Sequence, residues 1–207
     1  MKKYLLVLSM LVITSSSLFA QDNYPFSLGV SASVGAIGTN TSHTPRGIGN
    51  VIDFFDSWNA AAVGYLPMAD DSRTGVFIEI GITNAAWGMK LDTFGFKGYI
   101  NQRLFTVSPI LMMSGFTFGI DFGFAEKYTI KEDFSLEYMP YQNDLNASIR
   151  IGYMQPLYTT SFGTLNVHGN FTYSVTSPTY YGDYDYTPLT LNIGLNYLIS
   201  LGYDEGY

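Results

Sequence analysis

Cysteine is absent from all 207 residues, so neither a disulfide framework nor a thiolate metal site is available. Charge is scarce too. Asp, Glu, Lys and Arg make up 13% of the chain, about half of the roughly 25% usual in soluble domains. Ten Lys and Arg stand against seventeen Asp and Glu, a formal net charge of -7, and that acidic balance speaks against a nucleic-acid partner. Beyond residue 20 no apolar run approaches the roughly 20 residues a membrane-spanning helix needs. Histidine occurs only at His43 and His168. There is no Gly-rich phosphate loop, no histidine cluster at metal-ligand spacing and no internal repeat, so no cofactor is expected.

The first twenty residues form a unit of their own. Lys2 and Lys3 make a short basic start, residues 4–13 (YLLVLSMLVI) an apolar core, and Leu18-Phe19-Ala20 leads into Gln21-Asp22. This is the layout of a secretory signal peptide cleaved after Ala20. It predicts export through the general secretory pathway and a single domain over 21–207. Without Lys2 and Lys3, eight basic residues face seventeen acidic ones, a net charge of -9.

What the chain does have is aromatic residues, 16% with 17 Tyr, and a period of two. From Phe26 to Ala36 apolar residues alternate with Ser and Gly. Phe116, Phe118, Ile120, Phe122 and Phe124 alternate with Thr117, Gly119, Asp121, Gly123 and Ala125. The same rhythm runs over 145–153, 165–175 and 189–203. Residues 75–85 place Val76, Ile78, Ile80 and Ile82 on one face with Glu79 on the other. Residues 103–113 are apolar on both faces, and Pro109 must sit where no ladder donor is needed. Alternation of this kind is a strand signal. A soluble sandwich or lipocalin-like barrel also alternates, but its wet face carries Lys and Glu. Here the polar face is Ser, Gly, Asn and Thr, which suits a crowded lumen with bulky apolar residues turned to lipid. Residues 59–66 (NAAAVGYL), after 51–55, read either as a strand or as a short amphipathic helix in a loop.

The connections set the count. Ser114-Gly115 is a tight hairpin turn, and 67–74 and 156–163 are the other short links. Longer connections at the opposite end cover 38–58, 87–102, 127–144 and 176–188. Short links alternating with long ones imply an all-β, antiparallel up-and-down transmembrane barrel of eight strands. Ten strands would need a further hairpin inside 87–102.

At the C-terminal end Asn192, Gly194, Tyr197 and Ile199 (NIGLNYLI) fit a pattern of polar, any, Gly, any two, aromatic, any, apolar. It resembles the last-strand signal read by the bacterial barrel-assembly machinery, although here Gly202-Tyr203-Asp204-Glu205-Gly206-Tyr207 follows. As a whole, the chain from residue 21 resembles the small bacterial outer-membrane barrels, the family that includes the transmembrane domain of outer membrane protein A. That resemblance implies residence in the outer membrane of a diderm bacterium, among outer-membrane lipid and lipopolysaccharide. No periplasmic domain is expected after the barrel, and so no peptidoglycan anchoring.

Parity and strand position put Glu79, Asp121, Arg150 and His168 in one inward layer, with Arg150 between Asp121 and His168 and Glu79 reaching from across. The expectation is an ion-pair layer that plugs a lumen only wide enough for its own side chains. A structural or surface-interaction role follows. A narrow gated channel, or a lateral route for small molecules near Pro109, is the alternative. A lipid-modifying enzyme ranks lower, because neither His43, in a loop, nor His168, deep in the lumen, has a Ser at the usual two-residue spacing. Stretches that gather acidic and aromatic residues, at 180–186 and 132–138, suit an extracellular ligand or an interfacial girdle.

Overall fold

A computed structural model describes residues 26–41, 48–51, 54–68, 73–91, 96–131, 141–142, 145–176, 179–181 and 184–201. Residues 1–20, which read as a signal sequence, His43 and the 132–138 stretch lie outside them. The strands are β1 (Ser27–Thr41), β2 (Ile48–Val51), β3 (Phe54–Pro67), β4 (Gly75–Leu91), β5 (Phe96–Met113) and β6 (Phe116–Lys131). They continue with β7 (Tyr141–Gln142), β8 (Leu145–Thr159), β9 (Gly163–Ser174), β10 (Thr179–Tyr181) and β11 (Tyr184–Ser200).

Eight long strands build the wall in the order β1-β3-β4-β5-β6-β8-β9-β11, every neighbour antiparallel, and β11 pairs back onto β1 from Ser27↔Ser200 to Thr41↔Tyr186. The wall of eight long strands therefore closes on itself. Following ladder partners from Ser27 through Tyr65, Phe77, Ile110, Gly119, Arg150, Thr172 and Thr190 returns to β1 at Ile37, ten residues from the start. A stagger of that size on eight strands tilts them by about 40° to the axis and leaves an interior filled by side chains.

The links at one end are short for local chemical reasons. Ser114 and Gly115 both have positive φ, 52° and 90°, as a two-residue type I′ turn requires. Arg73 from the 67–74 link clasps this turn, donating through Nη2 to the Ser114 carbonyl at 3.2 Å and to the Tyr153 hydroxyl at 2.9 Å. The third link is tied by Thr160, whose Oγ1 accepts from Phe162 N and Gly163 N at 3.2 Å each.

At the other end the strands run further than alternation suggests. β4 and β5 stay paired out to Leu91↔Phe96, so 87–102 is largely wall and holds no additional hairpin of wall strands. Residues 54–67 are strand, not helix. Their alanines face the next strands, where Ala61 and Ala62 meet Ser31 and Val30 of β1. β2 pairs with β4, and β7 and β10 pair beside β11, as short ribbons beyond the wall. Pro156 lies inside β8, not in the link, because the register shifts between Pro156 and Tyr158 and the bulge absorbs the missing donor. At Pro109 the solution differs: the ladder to β6 lacks pairs at Ser108 and Pro109 and resumes at Ile110↔Gly119.

The distribution of burial is inverted relative to a water-soluble protein. Val30, Val34, Ile120, Ile149, Ile151, Phe171, Leu191 and Ile193 are exposed on the outer face. Ser31, Ser33, Glu79, Thr106, Ser108, Thr117, Asn166, His168, Asn170 and Asn196 are buried inside. Exposed aromatic side chains gather near the short-link end: Phe116 packs edge-on against Tyr153 at 5.2 Å, with Tyr158 and Phe162 nearby in sequence.

Candidate functional site: the barrel lumen

Tilt and closure divide the lumen into storeys. Nearest the short links lies an apolar floor of Val63, Tyr65, Phe77, Ile110, Met112, Met154 and Leu198, with the Tyr65 and Phe77 rings stacked at 4.2 Å. These residues are inward because of their parity, and they are bulky enough to meet across a narrow barrel. Beneath the floor a cavity of about 370 Å³ opens among Ser27, Arg73, Thr159, Thr164 and Ser200.

Above the floor sits the charged layer. Arg150, on β8, donates from Nη1 to Glu79 Oε2 at 2.6 Å and from Nε to Asp121 Oδ2 at 3.1 Å. Its Nη2 lies 2.9 Å from Asp121 Oδ1. The guanidinium fork thus bridges β4 and β6, and all three side chains are largely buried. Charge-assisted, two-pronged pairing of this kind is the strong form of an ion pair. Three of the four residues singled out from parity are brought together here.

His168 is the fourth. It lines the same chamber but joins neither ion pair; its ring nitrogens face Ser31 and Asn170 instead. The Asn170 amide is oriented by its other contacts. Its Oδ1 accepts from Asn192 Nδ2 at 3.0 Å and from Thr172 Oγ1 at 3.4 Å, which turns Asn170 Nδ2 toward His168 Nδ1 at 3.5 Å. The other ring nitrogen, Nε2, lies 3.4 Å from Ser31 Oγ.

The C-terminal pattern splits between the two faces. Gly194 is buried and Asn192 turns inward to Asn170, whereas Tyr197 and Ile199 are exposed outside. Gly194 makes room for His168: an added Cβ would meet His168 Nε2 at 2.5 Å, Ser33 Cβ at 2.6 Å and the Ala32 carbonyl. Gly194→Val is expected to destabilise the fold by about 1–3 kcal/mol through overpacking at the β1–β11 seam, read as a lower urea midpoint for the folded protein in micelles.

Above the charged layer a chamber of about 100 Å³ is lined by Ser57, Thr83, Gln102, Asn146, Ser174 and Thr190, with Asp121 and Arg150 at its base. Sequence reasoning did not single out Gln102 or Asn146. Gln102 falls in a stretch that reads as a connection, and Asn146 looks like any other polar residue on an alternating strand. Their parity was the signal available.

No family model and no curated protein matches this sequence. Among solved structures the chain is similar to the crystal structure of the outer membrane protein OprG from Pseudomonas aeruginosa, at 12% identity and a TM-score of 0.42, covering 86% of this chain and 93% of that one. It is also similar to the translocator domain of autotransporter NalP from Neisseria meningitidis, at 7% identity and a TM-score of 0.26, covering 94% and 95%.

Proposed function

We propose that this protein is a small integral outer-membrane barrel whose lumen is plugged, and that it acts as an envelope or surface-interaction element rather than as a pore. The carrying observation is the inverted burial: an outer wall of exposed Val, Ile, Leu and Phe around a core of Ser, Thr, Asn and one ion-pair layer. An exposed apolar belt of that extent calls for hydrocarbon around it. The Phe116, Tyr153, Tyr158 and Phe162 aromatics suit the headgroup boundary on the short-link side. The partners are outer-membrane lipid and lipopolysaccharide. Export by the 1–20 signal sequence, and insertion by the barrel-assembly machinery through Asn192, Gly194, Tyr197 and Ile199, complete the reading. The ribbons β7 and β10, joined at Tyr141↔Tyr180, carry Tyr beyond the wall, where a surface ligand would meet it.

Two rival readings meet physical objections. For an enzyme, Ser31 and His168 are within reach of each other, but a triad needs an acid on the second ring nitrogen and a serine open to substrate. Here that nitrogen faces the Asn170 side-chain amide, and Ser31 is buried. For a lateral route, the interruption at Ser108 and Pro109 is bounded by Val107↔Phe122 and Ile110↔Gly119, so a solute must first unzip paired strand.

Recording in a planar lipid bilayer tests the plug. The floor and the Arg150 layer predict no steady single-channel conductance. Steady nanosiemens openings would replace this reading by that of a pore.

A further inference from the structure

The charges of the ion-pair layer do not balance among themselves. Glu79 and Asp121 each bring one negative charge and Arg150 one positive charge. His168, the other titratable group lining the chamber among the described residues, joins neither ion pair and faces Ser31 and Asn170. The ion-paired groups therefore carry one negative charge in surplus, within a wall that faces hydrocarbon on the reading above. An uncompensated buried charge is expensive.

Just above it, polar groups are left without partners. Gln102 is 1% exposed and its Nε2 makes no hydrogen bond. Asn146 is 5% exposed and neither Nδ2 nor Oδ1 makes one. Both line the chamber that Asp121 and Arg150 floor. The unmet demand is two N–H donors and one carbonyl acceptor, above a surplus carboxylate. Water alone can satisfy the amides, but it cannot supply the missing charge.

We propose that the chamber binds one hydrated monovalent cation of the sodium or potassium class. The ion is held by Asp121 and by the Asn146 side-chain carbonyl, and its water shell accepts from Gln102 Nε2 and Asn146 Nδ2. Hard cations prefer oxygen ligands of this kind. One positive charge restores neutrality, whereas a divalent ion would overcharge the layer. The inference rests on the plugged lumen of the preceding reading, yet the two fail separately: conductance tests the plug, and ion-specific stability tests the site.

The experiment is thermal unfolding of the folded protein in non-ionic micelles, in sodium chloride, with choline chloride holding ionic strength constant. The midpoint should rise with the logarithm of sodium concentration, as for any ligand of the native state. Asp121→Asn should abolish that rise, because Arg150 keeps Glu79 and the layer becomes neutral; His168→Gln should retain it. Should Asp121→Asn not fold, Asn146→Leu is expected to weaken the apparent sodium affinity about tenfold, roughly one lost ion–oxygen contact. A wild-type midpoint indifferent to sodium overturns the proposal, including the case where it responds to pH alone and a proton does the neutralising. So does a sodium response undiminished in Asp121→Asn or Asn146→Leu.

Discussion

Arg150→Ala should lower the unfolding free energy of the barrel by about 3–5 kcal/mol, the range for breaking a buried ion pair from one side. The size follows from what stays behind. Glu79 and Asp121 are both inward and largely buried, and each has an Arg150 nitrogen within 3 Å. Truncating the guanidinium leaves two carboxylates facing one chamber with no cation supplied by the protein. Removing one acid is milder: Glu79→Gln leaves Arg150 with Asp121, and Asp121→Asn leaves it with Glu79. Replacing all three together, with Gln, Asn and Met, should be closer to neutral, since no charge is stranded. Denaturant titration of the folded protein in lipid vesicles reads the series. An Arg150→Ala midpoint equal to wild type would mean that the layer contributes little to stability, whatever its geometry.

That layer was legible because a strand allows only two faces. Once Ile149 and Ile151 point out, Arg150 points in, and the same parity turns Glu79 and Asp121 inward. Strand length and hairpin order then put them at similar heights. His168 was placed inward by the same logic, but it stands outside the ion pairs in which it was expected. Its partners were not legible, because Ser31 comes from the strand that closes the barrel, 137 residues away, and closure fixes that pairing. The stagger of ten residues is likewise a property of the closed ladder, which no single strand encodes.

Element ends were the least legible part. Pairing can continue where alternation stops, because backbone hydrogen bonds hold a ladder whether or not one face repeats apolar residues. Hence β4 and β5 continue over residues that read as connection. The same blurring hid Gln102, which lies on β5 in the upper lumen. Residues 59–66 were ambiguous for another reason: three consecutive alanines carry little periodic signal in either secondary structure. Ala62 pairs with both Val30 and Ile80, and small side chains there suit close neighbours on either side. Gly194 shows where a sequence motif and a packing role coincide. It fits the assembly-signal pattern, and it also leaves the space that His168 fills, so a folding defect in Gly194→Val by itself would not distinguish the two roles.

Ile193→Arg separates a membrane barrel from a soluble one with a single side chain. Ile193 is 63% exposed on the outer wall, one residue before Gly194, and it pairs with Val34 on β1 and Gly169 on β9. Its neighbours on the strand, Leu191 and Leu195, are exposed on the same face. In water, arginine at so open a position would change stability by no more than about 0.5 kcal/mol, since it touches little and solvates freely. In a bilayer the same substitution near the midplane should lose about 2–4 kcal/mol. The loss should shrink when arginine is moved to Leu201, beyond the end of β11, because the side chain there reaches the headgroups. The contrast is measured by denaturant unfolding in lipid vesicles, position against position. Equal, near-zero effects at Ile193 and Leu201 would mean that water, not lipid, surrounds this wall, and the case for a membrane barrel would lose its main physical support.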